Sequence, residues 1–534
     1  MQRRDFLRLS SLAGVSCLSV GPQAARATQL PGGEYKAIVL VMLRGGNDAF
    51  NMLIPNGSDR YADYAASRSS LAVANTPLSL PEPTLTAGAN PYRVEGDTSL
   101  ASAYRTGLYE VPDAPLAVNG LMPELAMMLG EGRAKGVLGT GNLVRPVSRQ
   151  EVLDEVAELP LFLFAHNHQR RQIELGGADL LTGGPGWAGR LADRWFGGYD
   201  ERLPLGLNIA FGGFNQALVG ELTSPLVLRA SGPTNFNPFA IEGAIDSNTD
   251  RLHANRRALY QWLTGDAQAP AFADALPAPQ DYREAPRAPT SNLFAQAYQR
   301  FAGRSQRVLE QLNADWERTV DSIRYQTTDR YGEALFAVPT PDMLNLDVGG
   351  SFGDFIGQME AIATMVKLGA DAGYQRHIFL AELGGFDTHS GQADRHPALL
   401  RELSLGLDKF DRAVTDLGLG DNVLALTLSD FGRTVSNNGD GTDHGWATHQ
   451  LVLGGGMRAG GLLGTAPSLT LGGDDDYSDK GRIIPTLAND QLLATALDWF
   501  GVSREEMTTV LPNLTRFASD PADWRSALLN ELLS

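Results

Sequence analysis

A single cysteine, Cys17, stands in 534 residues, and it falls inside an N-terminal stretch that reads as a removable leader. The remaining chain therefore has no thiol with which to form a disulfide or hold an iron–sulfur cluster, and it must be held together by its core alone. Basic residues are also scarce, with 44 Lys and Arg against 62 Asp and Glu and a net charge of −18. Without clustered Lys and Arg there is no electrostatic footprint for nucleic acid or an anionic membrane surface. No apolar run of 18 residues follows the leader, so no membrane span is expected, and no internal repeat is visible. A Gly-x-Gly-x-x-Gly fingerprint after a strand is missing too, which argues against a dinucleotide-dependent redox enzyme. Histidine is sparse, with eight residues in all, and its placement becomes informative for that reason.

The first 27 residues carry Arg3-Arg4-Asp5-Phe6-Leu7, an apolar small-residue run from Leu9 to Val20, and Ala25-Arg26-Ala27, a small-x-small cleavage site. This pattern reads as a twin-arginine signal peptide over 1–27, with Thr28 as the mature N-terminus. An amphipathic helix would need a polar face, which this run lacks. The expected partner is the twin-arginine export machinery, and the expected location is the periplasm or the exterior. Export by that route suits a protein that folds and loads its cofactor first.

The composition, 43% hydrophobic and 20% charged, fits a large α/β domain with insertions. Tyr35 to Leu43 is almost continuously apolar, as a strand buried on both faces should be, and Gly45-Gly46-Asn47-Asp48 closes it. Residues 58–114, rich in Pro, Ala, Ser and Gly, read as an insertion over the sheet edge. A helix at Glu124–Gly132 and a strand at Gly136–Asn142 restore a parallel β/α rhythm. Ala165-His166-Asn167-His168-Gln169-Arg170-Arg171 opens a further helix, suited to holding an oxyanion at its N-terminus.

The chain thus divides into a first part of the core at 34–230, a mainly helical insertion at 231–348, and a second part of the core at 349–534. Helical patterns at 246–264 and 292–325 fill the insertion, with a Pro/Ala tract at 269–290 as linker. The second part repeats the design at Asp48 twice. His377 to Leu383 ends in Gly384-Gly385-Phe386-Asp387-Thr388-His389, and Val423 to Leu428 ends in Ser429-Asp430. The helix after His389 is expected at Pro397–Leu417, opened by His396. A polar loop then leads to Thr442-Asp443-His444-Gly445 and a strand at Gln450–Leu453. Three strand-end carboxylates converge only if their strands are parallel neighbours. Asp and His together at such an edge are what zinc and similar ions take, and two ions about 4 Å apart would clamp the attacking and leaving oxygens of an ester.

Taken together, LRGGNDAFNMLIP, GGFDTHSGQ, LSDFGRT, GTDHGWATHQLVLGGG and RIIPTLANDQLLATALDWFGV resemble the exported bacterial proteins of domain of unknown function family 1501. The likeness covers roughly residues 34 to 57, 120 to 195 and 355 to 505. That family looks like a branch of the alkaline phosphatase and sulfatase superfamily. The resemblance implies a doubly wound, mostly parallel α/β sheet with two divalent metal ions, usually zinc, with manganese, magnesium or calcium as alternatives. It would place Asp48 and Asp430 on one metal, and Asp387, His389 and His444 on the other. Arg433 and His166 would meet the anionic substrate, a small-molecule or polymer ester of phosphate or sulfate. Two departures stand out: Phe431 follows Asp430 where the superfamily usually has His, and Ala165 precedes His166 where the family tends to have Ser. A methyl group cannot attack phosphorus or sulfur, so the alternative is a non-catalytic periplasmic ligand-binding or assembly protein on the same fold.

Overall fold

The computed structural model describes residues 33–533 apart from 82–89, 91, 94–105, 178–182, 197–204, 214, 232–311, 313, 314, 324–327, 347, 458, 521 and 522. The signal-peptide stretch, the Pro/Ala tract and the 246–264 helical pattern lie outside the described residues. Of the second helical pattern, 315–323 is helical.

The strands of the first half are Lys36–Arg44 (β1), Leu53–Pro55 (β2), Leu108–Tyr109 (β3), Leu116–Asn119 (β4), Ala134–Gly141 (β5), Asn208–Phe211 (β6) and Leu226–Leu228 (β7). Those of the second half are Arg376–Gly384 (β8), Val423–Ser429 (β9), Arg433–Asn437 (β10), Thr442–His444 (β11), Thr448–Gly454 (β12), Gly461–Leu463 (β13) and Leu487–Ala488 (β14). The main sheet runs β13-β5-β12-β9-β1-β8-β6-β7, with β14 also on β5. All its pairings are parallel except those of β12, which runs antiparallel to both β9 and β5. The fold is therefore mixed α/β around a large, mostly parallel sheet.

Burial explains why β1 is apolar from Ala37 to Leu43. Ala37, Val39, Val41 and Leu43 belong to one core while Ile38, Leu40 and Met42 belong to the other, because side chains alternate across a strand. Helices Asp354–Asp371 and Gln392–Asp416 contribute Phe355, Met359 and Leu403 to the first core. On the opposite face, helices Trp187–Phe196 and Asn489–Phe500 contribute Trp187, Leu191, Leu492 and Leu497. Both faces are covered, as parallel sheets require. Among the described residues no helix is long and apolar enough to cross a membrane.

Two local expectations are revised. The helix expected from Pro397 starts five residues earlier, at Gln392, with Pro397 inside it. Proline normally marks a helix's first turn. Here the start is set by contacts distant in sequence: Gln392 is buried, and its Nε2 donates to Asp48, 344 residues away. The 58–114 segment also does more than cover an edge. Its helix Ser58–Arg68 sends Arg68, wholly buried, to the Asp48 carboxylate.

Of the four histidines at 389, 396, 444 and 449, His396 and His449 are interior groups. His396 Nε2 meets Asn47 Oδ1 at 3.0 Å, and His449 Nδ1 accepts from the Gly139 amide at 3.2 Å. His377 is likewise enclosed, with the Tyr35 hydroxyl on its Nδ1 at 3.1 Å. Burial lowers the His377 pKa from 6.5 to about 3, so the unfolded chain takes up this proton first. Stability contributed by the neutral ring is present above pH 6.5 and is lost as pH falls below it. His377→Phe is expected to remove about 1.4 kcal/mol per pH unit from the acid slope between roughly pH 6 and 4. Parallel slopes for the two proteins in pH-dependent denaturant unfolding would refute this.

Candidate metal centre

Three neighbouring strands deliver the site. β9, β1 and β8 lie side by side in register, with Leu43 beside Ser429 and Arg44 beside Gly384. Their carboxyl ends therefore open at one edge, where α/β sheets bind ligands. The loops after them approach so closely that only glycine fits. A Cβ on Gly45, at φ +111°, would lie 2.4 Å from the Asp387 amide. The hairpin β10–β11 sets Arg433 opposite His444. It is fastened to the β8 loop by Thr442 N donating to Thr388 O at 3.2 Å, which brings His444 to His389. The helix His166–Leu175 completes the site. Asn142, just past β5, anchors it by donating to the Gln169 carbonyl at 2.8 Å.

At this edge three imidazoles surround one carboxylate oxygen. Asp387 Oδ1 lies 3.3 Å from His389 Nε2, 3.3 Å from His444 Nε2 and 3.6 Å from His166 Nε2. His444 Nε2 is 2.8 Å from His389 Nε2 and 3.1 Å from His166 Nε2. The far nitrogen of each ring faces an atom that can only accept: Asp430 Oδ2 at 2.9 Å for His166, Asp443 Oδ1 at 3.3 Å for His389, and the Phe164 carbonyl at 2.9 Å for His444. With the ring proton on Nδ1, facing these acceptors, each Nε2 turns a lone pair to the common point. Lone pairs that close repel unless a cation lies among them. Ligands about 2.0–2.1 Å from a tetrahedral zinc stand roughly 3.3 Å apart, close to the separations here. Oxygen partners behind ligating histidines are the usual supporting arrangement for a metal.

Burial alone would raise the Asp387 carboxyl, but the Arg433 charge beside it holds it below the ordinary range. Burial lowers His444, and the Arg433 charge adds to the effect. Phe431, where a ligand was missing by comparison with the superfamily, packs its ring 4.5 Å from both His166 and His444. It walls one side of the cluster with hydrocarbon.

The expected site residues thus separate. Asp387, His389, His444 and His166 come together, and Asp430 stands behind His166. Asp48 does not join them. Its two oxygens accept from Arg68 at 2.6 and 2.7 Å and one also from Gln392 at 2.5 Å, all buried. Arg433 faces Asp387 at 3.1 Å with its side chain fully buried, so it holds the carboxylate rather than reaching solvent. Asp443, legible in the sequence beside His444 in TDHG, takes its place behind His389. The Phe164 carbonyl was not singled out, because a backbone carbonyl leaves no sequence signal.

Fold and site together define an α/β protein with a histidine–carboxylate cluster at the carboxyl edge of a mostly parallel sheet. Residues 250–514 match a family model described as Protein of unknown function (DUF1501), which supports the family assignment drawn from the motifs. The stretches around Asp48 and His166 precede the matched range. No curated protein matches the chain.

Proposed function

We propose that this is an exported, metal-dependent hydrolase of phosphate or sulfate esters, on a fold that branches from the alkaline phosphatase and sulfatase group. The observation that carries the reading is the convergence of three imidazole Nε2 atoms on Asp387 Oδ1. A mixed nitrogen and oxygen donor set suits zinc, or manganese, better than magnesium or calcium, which favour oxygen alone. Asp387, His389 and His444 would hold one ion in place of the two expected, since Arg68 and Gln392 already occupy the carboxylate of Asp48. Such an ion would act as a Lewis acid on an ester oxygen and ease deprotonation of water.

The chain's own residues divide the remaining work. Ala165 offers no hydroxyl, and Ser148 caps the helix Arg149–Leu153 through Glu151, so the attacking group is water. His166, held in one tautomer by Asp430, is placed to accept its proton. Arg433 fixes Asp387, and Phe431 keeps bulk water off one flank. His166→Asn is expected to keep the metal and lose about 10²–10⁴-fold in turnover of aryl phosphate or sulfate. Elemental analysis alongside a substrate panel checks this, and a chain that carries no metal and turns over nothing would favour the non-catalytic binding protein that Ala165 admits.

Export is the second part of the proposal, motivated by Arg3-Arg4 and Ala25-Arg26-Ala27. Changing Arg3 and Arg4 to Lys should hold the protein in the cytoplasm, as cell fractionation would show. Undiminished export of that variant would refute the route.

A further inference from the structure

A cavity of about 470 Å³ opens directly beside the cluster, bounded on one side by His166, Asp387 and Asp430. Ligand pockets of this size are ordinarily walled by apolar and aromatic side chains. This one has no apolar side chain among its described lining residues: the rest of the wall is Arg44, Arg170, Gln358, Glu382 and four glycines.

The two arginines differ in what they have left to offer. Arg44 Nη1 is paired with Glu382 at 2.9 Å, so that pair presents spare donors and acceptors side by side with little net charge. Gln358 is locked to the Glu382 backbone by two hydrogen bonds of 2.9 Å, which fixes the Glu382 end of the wall. Arg170 sits four residues past His166, one turn along the same helix. It pairs with Glu174, its Nε 3.4 Å from Oε1, and its terminal Nη groups donate no hydrogen bond to any described residue. It is about one third exposed, whereas Arg433 is sealed. A planar fork left open beside the cluster suits a tetrahedral oxyanion.

We propose that the substrate is a phosphate or sulfate ester of a polyhydroxylated alcohol. Arg170 binds its anionic group, and the Arg44–Glu382 pair with Gln358 binds its hydroxyls. This rests on the hydrolase reading above and names the substrate class of that same site. An aryl or alkyl alcohol would bury apolar surface against charged groups and glycine backbone, gaining little and stripping water from polar atoms. A polyol replaces that water with matched hydrogen bonds, and such a site discriminates strongly against an analogue that leaves its polar groups unpaired.

The test is calorimetric titration of the full-length, metal-loaded protein with inorganic phosphate, glucose 6-phosphate and phenyl phosphate, repeated with the corresponding sulfates. Binding rather than turnover is read, so a slow enzyme does not obscure the result. Glucose 6-phosphate or its sulfate should bind at least tenfold more tightly than the phenyl ester. Glu382→Ala should bring the two esters to within about twofold while inorganic phosphate is held as before. Arg170→Gln should weaken all the anions about tenfold or more with metal content unchanged, and Arg171→Gln, next in sequence but off the cavity wall, should not. A phenyl ester that binds as well as the sugar ester overturns the polyol assignment. Unchanged anion affinity in Arg170→Gln overturns the role of Arg170. Metal-loaded wild type that binds none of these anions overturns the hydrolase reading itself, and the substrate class falls with it.

Discussion

Replacing Arg68 with Met should cost about 3–5 kcal/mol of stability, among the largest effects open to a single substitution in this chain. Arg68 and Asp48 are both wholly buried and joined by two parallel hydrogen bonds. Removing the guanidinium leaves a carboxylate in the interior with Gln392 as the one remaining side-chain donor among the described residues. A carboxylate left so exposed to low dielectric costs far more than a surface pair is worth. The double variant Arg68→Met, Asp48→Leu should recover much of the loss, since replacing both partners removes the unpaired charge. Asp48→Asn separates this reading from the family-based one: a structural carboxylate leaves metal content intact and shifts only the denaturant midpoint. Metal lost from Asp48→Asn at unchanged stability would return Asp48 to the metal site.

His444→Ala should bring bound metal from about one equivalent to below a tenth, measured by elemental analysis after gentle purification. His444 Nε2 is the nitrogen that touches both other imidazoles, at 2.8 and 3.1 Å, as well as Asp387 at 3.3 Å. Its loss removes a donor and relaxes the geometry of the rest. Changes to the oxygen partners behind the ligating rings should be milder, and Asp443→Asn is expected to weaken affinity 10- to 100-fold by loosening His389. Equal metal content in wild type and His444→Ala would remove the centre.

The aspartates show where local reading stops. Asp387 and Asp430 both follow core strands and both lie at the cluster edge. Asp48 follows β1 with the same Gly-Gly signal, yet its side chain turns inward. The difference lies in Arg68, twenty residues on, in a segment that the sequence offered only as an edge insertion. Histidine behaves in the same way. His389 and His396 are seven residues apart, but one faces the cluster and the other packs against Asn47. Arg433 and Arg170 exchange their expected prominence because accessibility is a property of the assembled edge.

What the sequence by itself determined was what periodicity and glycine placement can encode. The doubly buried strands at Lys36–Arg44, Arg376–Gly384 and Val423–Ser429, and the polar loops at their carboxyl ends, were legible because continuous apolar runs have few other solutions in a parallel sheet. So was the delivery of Asp387, His389 and His444 to one edge. The tertiary structure alone decided which carboxylate is neutralised inside, which arginine meets solvent, and that His166 swings onto His444 from 278 residues away. Those outcomes depend on contacts between segments far apart in sequence, where burial and charge pairing are settled only once the chain has closed.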